Sequence, residues 1–379
     1  MDPLGGATVT EQSDTIQRIR DTGLNPPEAL TLLVTGGCNL HCRHCLLDCE
    51  SHNEVEPVPT EILLKRIKEF AALDGKQIFI AGGEPLCHPD WYQLLEFCCR
   101  YTDFQEVCVQ TNATLLTHRR VSALLELPTD KLFVQVSLDG ASTETHDYVR
   151  GPGTYERSIM GIRLLVEAGL GERTRIAFTE MFHNFEDLPP LLEMVDRLGI
   201  ARLVSGTLLK GGRAARSDRI LLPVPSQYRN LITRYRRDNR FKDLYHRRGN
   251  IAAIEWHNGM SLPNTNVCTC IKNLFIDANS WMYPCVMMPA EKYAVKAIHN
   301  RSLGRLIIDS LPLWAELPKI GKRRQAELKL CRDCPGKNHC LGGCMGRAYS
   351  VSDDLMAVED RCTLRRAVYA WKQPSQEPT

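Results

Sequence analysis

The chain has almost no excess of charge: 47 Lys and Arg stand against 45 Asp and Glu, a formal net charge of +2. A nucleic-acid binder needs a basic excess to neutralise phosphates, so nucleic acid is not expected as a partner. Long apolar runs are missing too. No stretch reaches the roughly 18 residues of a membrane span, and the opening MDPLGGATVTEQSDTIQRIR has no positive segment followed by an apolar one, so neither a membrane anchor nor a secretory signal is expected. Internal repeats and low-complexity segments are absent as well. With 43% hydrophobic and 24% charged residues the composition is that of an ordinary globular protein. These absences point to a cytoplasmic, folded protein.

Cysteine is what the chain has in quantity, sixteen in 379 residues. In a small secreted chain they would read as disulfides, whereas in a large cytoplasmic one they point to metal or redox sites. A chain of this length suits one domain of roughly 200–250 residues with a smaller partner. Between residues 30 and 205 strands and helices alternate. Strands are expected at 30–35, 77–81, 106–110, 132–137, 175–179 and 201–205, with helices at 60–73, 90–100, 116–127, 155–168 and 188–198. Parallel strands joined this way form an open sheet or a wholly or partly closed barrel, with ligands at the strands' C-terminal ends. The reading divides the chain into a polar leader (1–29), a barrel (30–213), a basic and partly helical linker (214–261), a cysteine-rich domain (262–371) and a frayed tail (372–379). Within the linker, the seven Arg and Lys residues from Arg234 to Arg248 read as a solvated helix face.

The first cysteine group, Cys38, Cys42 and Cys45, follows the first strand as CNLHCRHC. Three thiols leave one iron of a cubane cluster open, as catalytic zinc sites keep a free position, whereas a structural site takes four ligands. Cys49 stands near enough to supply a fourth. This CxxxCxxC spacing resembles the signature of the radical SAM superfamily, in which the open iron of a 4Fe-4S cluster chelates S-adenosylmethionine (SAM). Gly82-Gly83-Glu84-Pro85 after the second strand is similar to that family's glycine-rich turn. Its glycines let backbone approach closely, and the Glu84 carboxylate is of a kind that accepts from an ammonium group. Gln110-Thr111-Asn112 and Ser137-Leu138-Asp139-Gly140, after the third and fourth strands, are similar to SAM-pocket segments, which implies Thr111, Asn112, Ser137 and Asp139 as contacts. The same residue types also cap helices and form turns. Arg150 is of the type that pairs with the SAM carboxylate, and Gly211-Gly212-Arg213 is similar to the segment flanking the adenine.

Eight of the sixteen cysteines lie between Cys268 and Cys362. Cys268, Cys270 and Cys285, then Cys331, Cys334, Cys340, Cys344 and Cys362, resemble the SPASM extension of radical SAM maturases. The resemblance implies two auxiliary 4Fe-4S clusters: Cys270, Cys285 and Cys344 on one, with Cys268 as its fourth ligand, and Cys331, Cys334, Cys340 and Cys362 on the other. Residues two apart on an extended segment share a side, so Thr269 would turn away. The alternative chemistry for such pairs is a four-thiolate zinc ribbon. Cys87, Cys98, Cys99 and Cys108 read as small buried hydrophobes.

The resemblance thus implies a partial (β/α)6 TIM-like barrel with a small cysteine-rich α+β SPASM domain. It implies reductive cleavage of SAM to a 5′-deoxyadenosyl radical and hydrogen abstraction from a peptide or other small substrate. A low-potential electron donor such as a flavodoxin or ferredoxin is required. Only 37 residues precede Cys38, too few for a leader-peptide-binding domain, so peptide recognition would need a separate leader-binding protein or another surface. Val286 after Cys285 weighs against sulfatase maturation, where an acidic residue stands. A tetrapyrrole-modifying enzyme, or a non-catalytic iron-sulfur carrier or scaffold, is the alternative.

Overall fold

A computed structural model describes residues 9–259, 268, 270–296 and 301–371. The expected tail at 372–379, the boundary at 261–262 and the orientation of Thr269 lie outside these residues.

The strands are β1 (Ala29–Leu33), β2 (Gly37–Cys38), β3 (Glu50–Ser51), β4 (Gln77–Ala81), β5 (Glu106–Thr111), β6 (Leu132–Ser137), β7 (Thr174–Glu180), β8 (Arg202–Thr207), β9 (Gly249–Asn250), β10 (Asn273–Ile276) and β11 (Met282–Tyr283). All but β2 and β3, which pair with each other, form one sheet of order β11-β10-β1-β4-β5-β6-β7-β8-β9. From β10 to β9 every pairing is parallel, and only β10 with β11 is antiparallel. β1, β4, β5, β6, β7 and β8 stand side by side in chain order, the arrangement of a partial TIM-like barrel.

The sequence explains the layering. Parallel strands buried on both faces read as near-continuous apolar runs, and Leu30, Leu32, Ile78, Ile80, Val107, Val109 and Val134 are all buried. The crossover helices each offer one apolar stripe. In Thr60–Ala72 the buried set includes Leu63, Ile67 and Phe70, and in Trp91–Arg100 it is Leu94, Leu95, Cys98 and Cys99. Cys98, Cys99 and Cys108 are core residues, while Cys87 is half-buried.

Three features extend what the pattern predicts. Within the polar leader, Val9–Asp21 is a helix that buries Thr15 and Ile19 and packs against the helix Leu303–Trp314. Within the linker, Pro225–Arg237 and Asn239–Arg248 are two helices that bury Tyr228, Tyr235, Phe241 and Tyr245, while Arg247 and Arg248 reach Asp196. β9 and β10, from the linker and the cysteine-rich region, cover the two ends of the six-stranded series, on β8 and β1. Among the described residues no helix is long and apolar enough to cross a membrane.

Candidate functional site

The C-terminal ends of the strands surround a cavity of about 620 Å³, lined among others by Cys38, Cys42, Cys45, Gly83, Thr111 and Arg150. Cys38 is fixed by the β2–β3 pairing, opposite Ser51. The loop after it is held from two sides. The Arg43 N–H donates to the Val149 carbonyl (2.8 Å). Arg213 donates its own N–H to the Cys45 carbonyl (2.9 Å), Nε to that of Cys42 (2.8 Å) and Nη1 to that of Cys49 (2.7 Å). Gly212 has φ +52°, and a side chain there would run into the Cys45 and Leu46 carbonyls. Gly211-Gly212-Arg213 is therefore the clamp on the cysteine loop.

Cys38 and Cys42 are buried together, and Cys45 is half-buried beside them. Burial, with Glu84, Cys42 and Cys45 nearby, pushes the Cys38 thiol up to about 12 against the Leu40 N–H. Burial also raises Cys42, against the pull of Arg150 and Arg213. Cys45 behaves differently: Cys49 donates to it, which favours the Cys45 thiolate and holds the proton on Cys49. Cys49 is buried in the same cluster as Cys38 and Cys42, and its N–H lies 3.5 Å from the Cys45 sulfur. The donor set is soft thiolate beside two guanidinium groups, which suits an iron-sulfur cluster of net negative charge.

The turn after β4 does two jobs. A side chain on Gly83 would run into the Gly37 carbonyl and come within 2.9 Å of Cys38 Cβ, so only glycine lets this turn lie against the cysteine loop. Glu84 is 1% exposed and does not line the cavity. Its carboxylate accepts from Thr111 Oγ1 (2.7 Å), the Asn112 N–H (2.7 Å) and the Leu86 N–H (3.1 Å), bracing β4 to β5. Asn112 Nδ2 donates to Asn39 Oδ1 (2.9 Å), which carries that brace into the cysteine loop.

Asp139 is likewise inside the wall, fully buried. Its carboxylate meets Arg150 Nε (2.6 Å), His44 Nε2 (3.2 Å) and the Thr179 N–H (2.7 Å). Burial alone would raise it, but Arg150 and His44 hold it well below the usual carboxylate range. The ionised Asp139 thereby aims Arg150 and His44, both of which line the cavity together with Thr111, Asn112 and Ser137. His44 is the residue the sequence reading passed over; its place between Cys42 and Cys45 was the available signal.

The C-terminal cysteines form two groups. Cys331, Cys334, Cys340 and Cys362 line one small cavity. Burial and the other three thiols push Cys362 up to about 11. Arg365 Nη1 stands 3.2 Å from the Cys340 sulfur. Cys268, Cys270, Cys285 and Cys344 form the other group: Cys268 and Cys270 share a hydrogen bond, and Cys285 feels both Cys344 and Cys268. Glu359 lies between the groups, accepting from the Cys344 N–H (3.2 Å) and pairing with Arg361 and Arg365. Among the described residues no three His, Cys, Asp or Glu side chains are placed to hold a single metal ion.

Residues 32–197 match the family model of the Radical SAM superfamily. By that match the segment 32–197 is a radical SAM domain. The chain is 27% identical over 370 residues to the mycofactocin maturase MftC of Mycobacterium ulcerans, across 94% of this chain and 93% of that one. It is 26% identical to the AdoMet-dependent heme synthase of Methanosarcina barkeri, across 90% and 97%. Its fold is that of anSMEcpe with bound AdoMet and the Cp18Cys peptide, with a TM-score of 0.69 at 18% identity over 91% of this chain and 96% of that one.

Proposed function

We propose that this radical SAM enzyme carries out the oxidative modification of a peptide or protein, with Cys38, Cys42 and Cys45 holding its SAM-binding 4Fe-4S cluster. The observation that carries this reading is the cavity itself. Three thiols line it, and so do Phe275, Val286, Met287 and Arg361 of the C-terminal region. A substrate seated there lies between the first cluster and the cysteine-rich region. When bound, the cluster and SAM supply the reductive cleavage that yields methionine and a 5′-deoxyadenosyl radical. The chain orients them. Arg150, fixed through Nε by Asp139, offers its outer nitrogens to the SAM carboxylate. Gly82 and Gly83 would let backbone approach the methionine end of SAM. Thr111, Asn112 and Ser137, which line the cavity, would contact its nucleoside. Glu84 and Asp139 act as positioning residues behind them.

Auxiliary 4Fe-4S clusters on Cys268, Cys270, Cys285 and Cys344 and on Cys331, Cys334, Cys340 and Cys362 would accept the electron left by oxidation of the substrate. A low-potential carrier such as a flavodoxin or ferredoxin supplies the first electron, a separate leader-binding protein presents the peptide, and the reaction is cytoplasmic. MftC is named a maturase, and the anSMEcpe complex holds a peptide, which supports the peptide reading. Likeness to the heme synthase favours a tetrapyrrole as the second reading. An apolar Val286 at the cavity wall leaves no acid there for the sulfatase-type reaction.

The test is anaerobic SAM cleavage with dithionite, with an iron count. The parent should hold about twelve irons and form 5′-deoxyadenosine. Cys42→Ala should lose product and about four irons, while Cys49→Ala keeps both. A fully loaded parent that forms no 5′-deoxyadenosine rejects the catalytic reading and favours an electron carrier. Stimulation of turnover by a tetrapyrrole but by no peptide would select the second reading.

A further inference from the structure

The helix Cys362–Tyr369 begins on a cysteine of the second C-terminal group and reads CTLRRAVY. Residues three, four and seven places further on share its face. They are Arg365, Arg366 and Tyr369, and all three line the small cavity of Cys331, Cys334, Cys340 and Cys362, whereas Leu364 and Val368 turn to the core. Arg365 Nη1 stands 3.2 Å from the Cys340 sulfur, and its guanidinium lies 4.7 Å from the Trp256 ring centroid. Trp256 also carries Arg361, at 5.5 Å. Glu359 pairs with both guanidinium groups, at 3.1 Å from Arg365 Nε and 3.0 Å from Arg361 Nη2. Two guanidinium groups sharing one carboxylate leave a positive charge over, and Arg365 brings it to the sulfur. The Arg365 side chain is only 15% exposed, so water screens that charge weakly.

Tyr369 adds a second donor. It is buried, and its ring lies against Gly336, where a side chain would strike it. Arg365, Cys334 and Cys340 are neighbours of its hydroxyl, which meets no acceptor in hydrogen-bond geometry among the described residues. A buried O–H without a partner is costly, and sulfur is the acceptor these surroundings offer. Four thiols on one cavity, a cation against one of them and an orphaned hydroxyl suit an iron-sulfur cluster, whose sulfurs accept hydrogen bonds. The other group has different surroundings. Its Cys285 sulfur takes the Met287 N–H (3.2 Å), and the Cys344 N–H is turned to Glu359 (3.2 Å). Arg324 acts on cysteines of both groups and so does not set them apart, and its outer nitrogens donate to the carbonyls of Gly342, Leu355 and Ala357.

We propose that Arg365 and Tyr369 are potential-setting residues: by donating to the ligand sulfurs they raise the reduction potential of the 4Fe-4S cluster on Cys331, Cys334, Cys340 and Cys362 and leave that of its neighbour unmoved. The proposal rests on the auxiliary-cluster reading above. Hydrogen bonds and positive charge at the sulfurs stabilise the reduced form, which carries one more negative charge than the oxidised form. In turnover the substrate radical loses one electron and this cluster gains it, with no bond made or broken in that step. Arg365 stays protonated in both states, so the two residues favour oxidation of the substrate by holding the electron's acceptor at higher potential.

The test is a redox titration followed by electron paramagnetic resonance. It uses the full-length chain carrying Cys38→Ala, Cys42→Ala and Cys45→Ala, reconstituted anaerobically so that the C-terminal cysteines alone hold clusters. That background should hold about eight irons and show two one-electron midpoints. Adding Arg365→Gln should lower one midpoint, so that its reduced-to-oxidised ratio at a given applied potential falls about tenfold, a shift of about 59 mV, and should leave the other in place. Tyr369→Phe should lower the same midpoint by less, and Arg365→Lys, which keeps the charge, should restore part of the shift. A merely structural role would change the iron content and move no midpoint at full loading. If Arg365→Gln loads fewer irons, Tyr369→Phe, which keeps the ring against Gly336, decides: a lowered midpoint supports the assignment and an unmoved one overturns it. Both midpoints unmoved in a fully loaded Arg365→Gln, or both moved alike, also overturns it. Zinc in place of iron in the background rejects the auxiliary-cluster reading, and the proposal with it.

Discussion

At the scale of single residues, side chains that resemble ligand contacts serve behind the wall, and a histidine that braces one of them, Asp139, makes stability depend on pH. His146 is fully buried, and its Nδ1 accepts from the Asp139 N–H (3.1 Å), so the ring is neutral with its proton on Nε2. Burial lowers its pKa to about 4, with Arg150 and His44 adding to the effect and Asp139 and Asp147 opposing it. The unfolded His146 has the ordinary value of 6.5. Below that value the unfolded chain takes up the proton first, so stability falls as pH drops through 6.5 and levels off near 4. The loss amounts to at most about 3 kcal/mol. Urea unfolding at pH 7 and pH 5 should show this slope in the parent and a smaller one in His146→Gln. Equal slopes in the two would assign the pH dependence to other groups.

At the scale of elements, the clamp formed by residues 211–213 shows what a local segment does for a distant loop. Alanine at Gly212 would take the left-handed conformation at a cost of about 1–2 kcal/mol, and its Cβ would also press on the Cys45 and Leu46 carbonyls. Gly212→Ala is expected to displace the cysteine loop, lowering the iron count from about twelve toward eight while the C-terminal cysteines stay loaded. An unchanged iron count and an unchanged SAM-cleavage rate would mean that the loop holds its own shape. The clamp's role was not legible, because a Gly-Gly-Arg triplet does not reveal which carbonyls it faces. The six barrel strands were legible, since burial on both faces writes apolar runs into the sequence. The helix Thr143–Arg150 was not, because TETHDYVR offers the solvent more than it offers the core. β10 was hidden for another reason: its pairing with β1 spans some two hundred and forty residues of chain, and no local pattern encodes that. Glu84 and Asp139 show the same limit at the site, where motif position told which turn they occupy but not which way a carboxylate faces.

At the scale of the whole molecule, the cysteine-rich region is joined to the barrel by more than the β10–β1 ladder. Arg347, at the start of the helix Met345–Ser352, is fully buried. Its Nη1 donates to the Thr207 carbonyl (3.1 Å) and its Nη2 to that of Leu208, both at the exit of β8. Nε and Nη2 also hold the Asp360 carboxylate at 2.6 and 2.7 Å. This one guanidinium therefore ties the open end of the barrel, the helix carrying Cys344 at its cap and the segment leading to Cys362. Removing one partner of a buried ion pair leaves the other charge uncompensated, a cost of about 3–5 kcal/mol, whereas replacing both by apolar groups can be nearly neutral. Arg347→Met should thus lower stability by that amount and speed amide exchange in both 205–208 and 345–352. Arg347→Met with Asp360→Leu should recover much of the ion-pair loss but not the bonds to Thr207 and Leu208, so exchange in 205–208 should stay fast. If the double variant is as unstable as the single one, the carbonyl bonds and not the ion pair carry the join. If exchange at 205–208 does not change in either variant, β8 is held by the barrel alone and the two regions are coupled only through β10.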